Sequence, residues 1–226
     1  MSEHPILFSA PMVRAILGGR KTMTRRVIKG APIFVTPFIG ADNKPTNEYG
    51  LHFTHERVID KHVRCPYGQP GDRLWVRETF ADRDSDGDLI SPIYRADCEE
   101  YEDGDGYGFT PCWRPSIFMP RWASRLTLEI VSVRVERLQD IGQMDVIHEG
   151  MTMLTKDGGR VYKFGMEDKD GLPGTDDDGW EWQDWNADHA KSFARLWDST
   201  NAKRGYGWDA NPWVWVIEFK KVEPCD

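Results

Sequence analysis

Lys21 stands three residues before Thr24, in the run Gly19-Arg20-Lys21-Thr22-Met23-Thr24-Arg25-Arg26, just after a helix-ending Gly18-Gly19 pair. A threonine hydroxyl becomes a useful nucleophile only when a neighbouring base takes its proton, and a lysine close by is one of the few arrangements that supply one. On a regular strand, residues three apart face opposite ways, so Lys21 and Thr24 meet only if the chain bends between them. The glycine pair permits that bend. Thr22, Thr24 and Arg26 are two apart and share a face, which sets Arg26 beside Thr24, where a guanidinium can hold an anion or a carbonyl oxygen. The plainer alternative is an exposed lysine, a strand-forming threonine and an arginine in a surface ion pair. Spacing by itself does not separate the two.

Glu149 is the second candidate. It ends a short helix beside Gly150, where the helix already carries partial negative charge, a poor place for an acid without another duty. Such a position suits a proton donor, and it equally suits a solvated helix end. His148 is an alternative acid or base. Trp75, Arg77 and Glu78 form a third group: an indole can stack on a base and an arginine can pin an oxygen, or all three can be barrel wall with a structural ion pair. No His, Cys, Asp or Glu group has metal-ligand spacing, so no metal is expected. No phosphate-cradling glycine loop and no nucleophile elbow occur, and no cofactor is expected.

The elements that must carry these residues follow from punctuation and period. Pro11 to Leu17 predicts a short helix closed by Gly18-Gly19. Thr22 to Ile28 predicts a strand, as does Arg73 to Glu78 after the Pro70-Gly71-Asp72 turn. In Leu126 to Leu138, Leu126, Leu128 and Ile130 alternate with polar neighbours, and Val131, Val133 and Val135 then alternate in the opposite phase. That flip predicts a bulge within one long strand. Gln143 to Glu149 and Ala187 to Thr200 predict helices, the latter with Ala190, Phe193, Ala194 and Trp197 on one face. Trp213 to Lys221 predicts a closing strand. Residues 31–66 are rich in Pro, Gly, Asn and His and are expected to be a loop insertion. Further insertions are expected at 81–115, with a strand at 92–96, and at 153–188, an exposed loop. Five or six dispersed strands with short helices point to an α+β fold around a small barrel, as one domain spanning 1–226.

The chain has 226 residues and ten Trp, ample for a core. Its net charge of −8 is unevenly placed: residues 81–106 carry ten acids against two bases, and 155–190 carry ten against four. What remains is net basic, so a mildly basic core bears two acidic appendages, which fits a nucleotide or short RNA better than wholesale coating of nucleic acid. Four scattered cysteines with no CxxC pair argue against a zinc knot and a disulfide framework. No signal segment or membrane-length apolar run is present, which leads to the expectation of a cytoplasmic protein without membrane association.

Gly19-x-Lys21-Thr22-x-Thr24-x-Arg26, Gly71-Asp72-x-Leu74-x-Val76, Glu149 ahead of Met151-Thr152, and the terminal Val216-Ile217-Glu218-Phe219 together resemble the ASCH domain family. These are small PUA-like β-barrels associated with RNA. The motif has Thr24 where many members have glutamate, as in the branch that hydrolyses N(4)-acetylcytidine, whose chains are much shorter. The Trp-rich segments also resemble longer members from bacteriophages and prophages. The resemblance implies Thr24 as nucleophile, Lys21 as general base and Glu149 as proton donor. It implies an N(4)-acylcytidine as substrate, its ring stacked near Trp75; Arg26, Arg77 and Glu78 are expected, from their residue types and positions, to contact that substrate. RNA binding or cleavage by the same cations is the competing expectation, and a non-enzymatic interaction module is a third.

Overall fold

The computed structural model describes residues 1–30, 32–40, 45–53, 59, 61–83, 87–97, 111–175 and 179–222. In chain order the elements are β1 (Glu3–Leu7), α1 (Ala10–Leu17), β2 (Met23–Val27), β3 (Phe34–Ile39), β4 (Pro45–His52), β5 (Lys61–Arg64), β6 (Arg73–Arg77), β7 (Phe80–Arg83) and β8 (Leu89–Tyr94), followed by β9 (Thr127–Arg137), α2 (Gln143–His148), β10 (Thr152–Leu154), β11 (Lys163–Gly165), α3 (His189–Asn201) and β12 (Trp213–Lys221). The fold is α+β, as expected, with more strands than the five or six anticipated.

The principal sheet runs β1-β6-β9-β12-β2, with β1 parallel to β6 and the other pairs antiparallel. No closed barrel forms among the described residues. The edge strands are instead linked by one side chain: Arg26 Nη2 donates to Leu7 O at 2.6 Å.

Strand alternation divides the core in two. On β12, Trp215, Ile217 and Phe219 join a cluster with Ile6, Leu74, Leu128 and Ile130, while Val214 and Val216 join one with Met23, Val146, Phe193 and Trp197. The long β9 keeps its apolar residues on the first cluster only because of a bulge: Glu218 faces Ser132 while Phe219 faces Ile130, which leaves Val131 unpaired and 52 % exposed. The phase flip in the sequence therefore marks the extra residue. Behind the second cluster lies α3, started by Asp188, whose carboxylate accepts from Ala190 N, with Phe193 and Trp197 buried. Burying two such rings stabilises the docked helix by roughly 2–3 kcal/mol each.

Three loop expectations are corrected. Residues 31–66 supply the sheet β3-β4-β5 and deliver Tyr49, Leu51 and Cys65 to the first cluster. Their prolines misled because they sit where strands tolerate them: Pro45 begins β4, and Pro37 borders a register shift. In the first acidic region, β7 and β8 pair as a hairpin, with β8 at Leu89–Tyr94 rather than 92–96; residues 98–110 lie outside the described residues. In the second, β10 and β11 pair and Phe164, Met166 and Trp185 are buried, because apolar residues among the acids supply a packing face.

Candidate active site

Lys21 is set by the end of α1. Gly19 at φ +73° reverses the chain, and Gly19 N, Arg20 N and Lys21 N donate to Ile16 O, Ala15 O and Ala15 O. This closure favours glycine at the left-handed position. The turn brings Thr22 N to His148 O at 2.9 Å, so the start of β2 is tied to the end of α2.

At that junction Lys21 Nζ donates to Glu149 Oε2 at 2.9 Å and to Glu149 O at 2.6 Å. Both residues are buried, at 3 % and 5 % exposure. The lysine thus satisfies a helix-terminal carbonyl and pairs with the acid that looked misplaced there. Burial pushes the Lys21 ammonium below its ordinary value of 10.5; Glu149 opposes this through charge and hydrogen bond, and Arg26 and Arg25 add to it.

Thr24 lies opposite Ile217 and Arg26 opposite Trp215, so both share the face of the first core cluster. Lys21 reaches toward this face: its Nζ lies 5.6 Å from the Phe8 ring centroid, and the Arg26 guanidinium carbon lies 5.1 Å from the same ring. Thr24 is 4 % exposed. Among the described residues, the lysine's side-chain hydrogen bonds go to Glu149 rather than to the Thr24 hydroxyl.

Arg25 is the residue that the sequence argument passed over. It points to the opposite face, beneath α2, with its side chain fully buried. Nη1 contacts Glu149 Oε1 at 3.3 Å, and Nη2 contacts Glu136 at 3.1 Å and Asp145 at 2.5 Å. Arg134 extends the network to Glu136, Asp145 and Glu218. The signal available in the sequence was alternation: a strand that buries both faces and carries Thr24 on one must place Arg25 on the other, where only carboxylates make burial tolerable.

The third group is not brought to this centre. Trp75 and Arg77 alternate away from the core positions Leu74 and Val76. Arg77 stacks on Trp75 at 5.3 Å and donates to Ile117 O. Glu78, 1 % exposed, is forked by Arg125 at 2.9 and 3.0 Å beside the separate cluster of Phe80, Met119 and Ala123. Burial raises its carboxyl above the ordinary range, and Arg125 opposes the rise. Arg20 turns toward Glu167, at 2.7 Å, and lines a cleft of about 190 Å³ with Arg14, Asp168 and Lys169.

Among the described residues no three His, Cys, Asp or Glu side chains gather to hold a metal ion, and no helix is long and apolar enough to cross a membrane. Cys65 is buried and free, and burial pushes its thiol up to about 11. What the Lys21 site offers is a lysine biased toward its neutral form, a hydroxyl on the adjoining strand, a carboxylate in contact with the lysine, and a cation on the hydroxyl's face. No family model, curated protein or solved structure matches the chain.

Proposed function

We propose that the chain is an amidohydrolase that removes the acyl group from N(4)-acylated cytidine or cytosine. One observation carries the reading: Lys21 and Glu149, 128 residues apart in sequence, share a buried hydrogen bond at the start of the strand that bears Thr24. The reading includes a PUA-like ancestry for the sheet and a cytoplasmic setting, where free nucleosides occur.

Neutral Lys21 takes the proton of Thr24 as its Oγ bonds to the acyl carbonyl carbon. Arg26, on the same face, balances the charge on the carbonyl oxygen. Glu149 receives the proton from Lys21 across their 2.9 Å contact and passes it to N4 as the C–N4 bond breaks. Cytidine leaves and the acyl group remains as a Thr24 ester. Lys21 then takes a proton from water, the resulting hydroxide attacks the ester, and Thr24 recovers its proton from Lys21. Acetate and its higher homologues fit this scheme alike.

The test is release of cytidine from N(4)-acetylcytidine, followed by chromatography, with Thr24→Ala, Lys21→Ala and Glu149→Gln beside the native chain. Turnover abolished by Thr24→Ala and Lys21→Ala, and reduced about 100-fold or more by Glu149→Gln, is expected. No turnover by folded native protein, with bulkier N(4)-acyl groups also tried, overturns the reading.

A further inference from the structure

Glu149 is held from two sides, one carboxylate oxygen to Lys21 and the other to Arg25. The two cations differ in kind. Lysine can give up its proton when buried, whereas a guanidinium keeps its charge at any working pH. If Lys21 were the only partner, neutralising it would strand a buried carboxylate, and the pair would stay locked as an ion pair. Arg25 removes that constraint.

We infer that Arg25 is a positioning residue that holds the Glu149 carboxyl group in place, so that Lys21 can pass between its charged and neutral forms without losing its partner. This rests on the amidohydrolase reading for its role in turnover, but not for its effect on Lys21. The geometry is specific to this duty. Arg25 is shared among Glu149, Asp145 from α2 and Glu136 from β9, with Met23 Sδ 3.4 Å from Nη1. It is thus anchored independently of Lys21. Asp145 and Glu136 are also held by Arg134, so the anchor does not slacken when Lys21 changes state.

The charged groups facing Lys21 are Glu149 at the end of α2 and Arg25 and Arg26 on β2, with the Phe8 ring covering it from the end of β1. Replacing Arg25 by a neutral residue removes one repelling cation and leaves Glu149 dependent on Lys21. Both changes favour the protonated lysine.

The experiment follows the Lys21 13Cε resonance by NMR through a pH titration of the native chain, Arg25→Met and Arg25→Lys. Lys21 is expected to titrate about one pH unit higher in Arg25→Met, the size of effect one close charge exerts, and near the native position in Arg25→Lys. In turnover, the rise of kcat with pH moves upward by the same interval in Arg25→Met with KM little changed. A merely structural arginine would lower the melting temperature and leave the titration where it is. Should Arg25→Met fail to fold, adding Asp145→Asn and Glu136→Gln removes the carboxylates it strands and supplies the neutral variant. An unmoved Lys21 titration in the folded neutral variant, or equal shifts in Arg25→Met and Arg25→Lys, overturns the inference. A titration that moves as expected in a chain without amidohydrolase turnover upholds Arg25's hold on Lys21 and refutes the hydrolase reading alone.

Discussion

Gly150 lies against Lys21: a β-carbon built on the glycine would sit 3.2 Å from Lys21 Cβ and 3.1 Å from Ala15 Cβ. The same glycine has φ +97°, where other residues are strained. The turn after α2 and the turn after α1 therefore press together at the point where Lys21 enters its pocket. Gly150→Ala combines backbone strain with a clash against two fixed neighbours and is expected to cost about 2–3 kcal/mol in urea denaturation. Because the displaced neighbour is Lys21, turnover should fall further than the loss of folded protein explains. A stable Gly150→Ala with native turnover would show that the contact does not set the lysine.

The Lys21–Glu149 pair should respond asymmetrically to deletion. Lys21→Met leaves Glu149 on Arg25, whereas Glu149→Leu leaves the Lys21 ammonium with a lone carbonyl as acceptor. Removing one partner of a buried pair costs about 3–5 kcal/mol when it strands the other. Glu149→Leu should approach that range, and Lys21→Met should fall clearly below it. Equilibrium unfolding of both variants decides the point, and the reverse order would mean that Arg25 does not share the carboxylate.

Burial lowers the Lys21 proton affinity in the folded chain, so stability should carry a pH signature. Between its folded value and 10.5, the unfolded chain binds more protons at this site than the native chain, and stability rises with pH. Below that window both states hold the proton and the burial cost is fully present. The stability of the native chain minus that of Lys21→Met should therefore be flat at low pH and move in favour of the native chain as pH rises toward 10.5. Taking the difference cancels the tyrosine and cysteine ionisations common to both. A flat difference throughout would place the lysine at its ordinary value.

Much of this centre was legible because it obeys period and punctuation. The double glycine fixed the end of α1, the spacing of Thr24 and Arg26 fixed their common face, and the reversed alternation at Val131 marked the bulge of β9. Lys21 meeting Glu149 was not derivable from spacing, since contacts between the start of one strand and the end of a distant helix depend on the whole fold; only the family resemblance suggested a joint role. Arg25 escaped because a charged residue in a strand is normally solvated, and its burial is tolerated by three carboxylates from elements that local sequence does not connect. Trp75, Arg77 and Glu78 were grouped with the site on residue type, while alternation along β6 and the Arg125 fork direct them elsewhere. The sheet β3-β4-β5 was hidden by prolines at tolerated positions.

The second acidic region carries its own test of how far composition misleads. A β-carbon on Gly165 would lie 2.3 Å from Cδ2 of Trp185, which is 2 % exposed and donates through its indole N–H to Trp180 O. The indole thus lies flat on the glycine, and β11 abuts the helix α3 through Ser192, whose hydroxyl donates to Phe164 O at 2.7 Å. Gly165→Ala has no open space to use, so the tryptophan or the strand must move, at a cost of about 3 kcal/mol. Gly158→Ala is the control, because its β-carbon meets nothing within 4 Å and only its φ of +71° is strained, which costs about 1 kcal/mol. Thermal unfolding of the two variants separates the readings. A packed region loses much more from Gly165→Ala than from Gly158→Ala, whereas an exposed acidic loop would tolerate the first at least as well as the second.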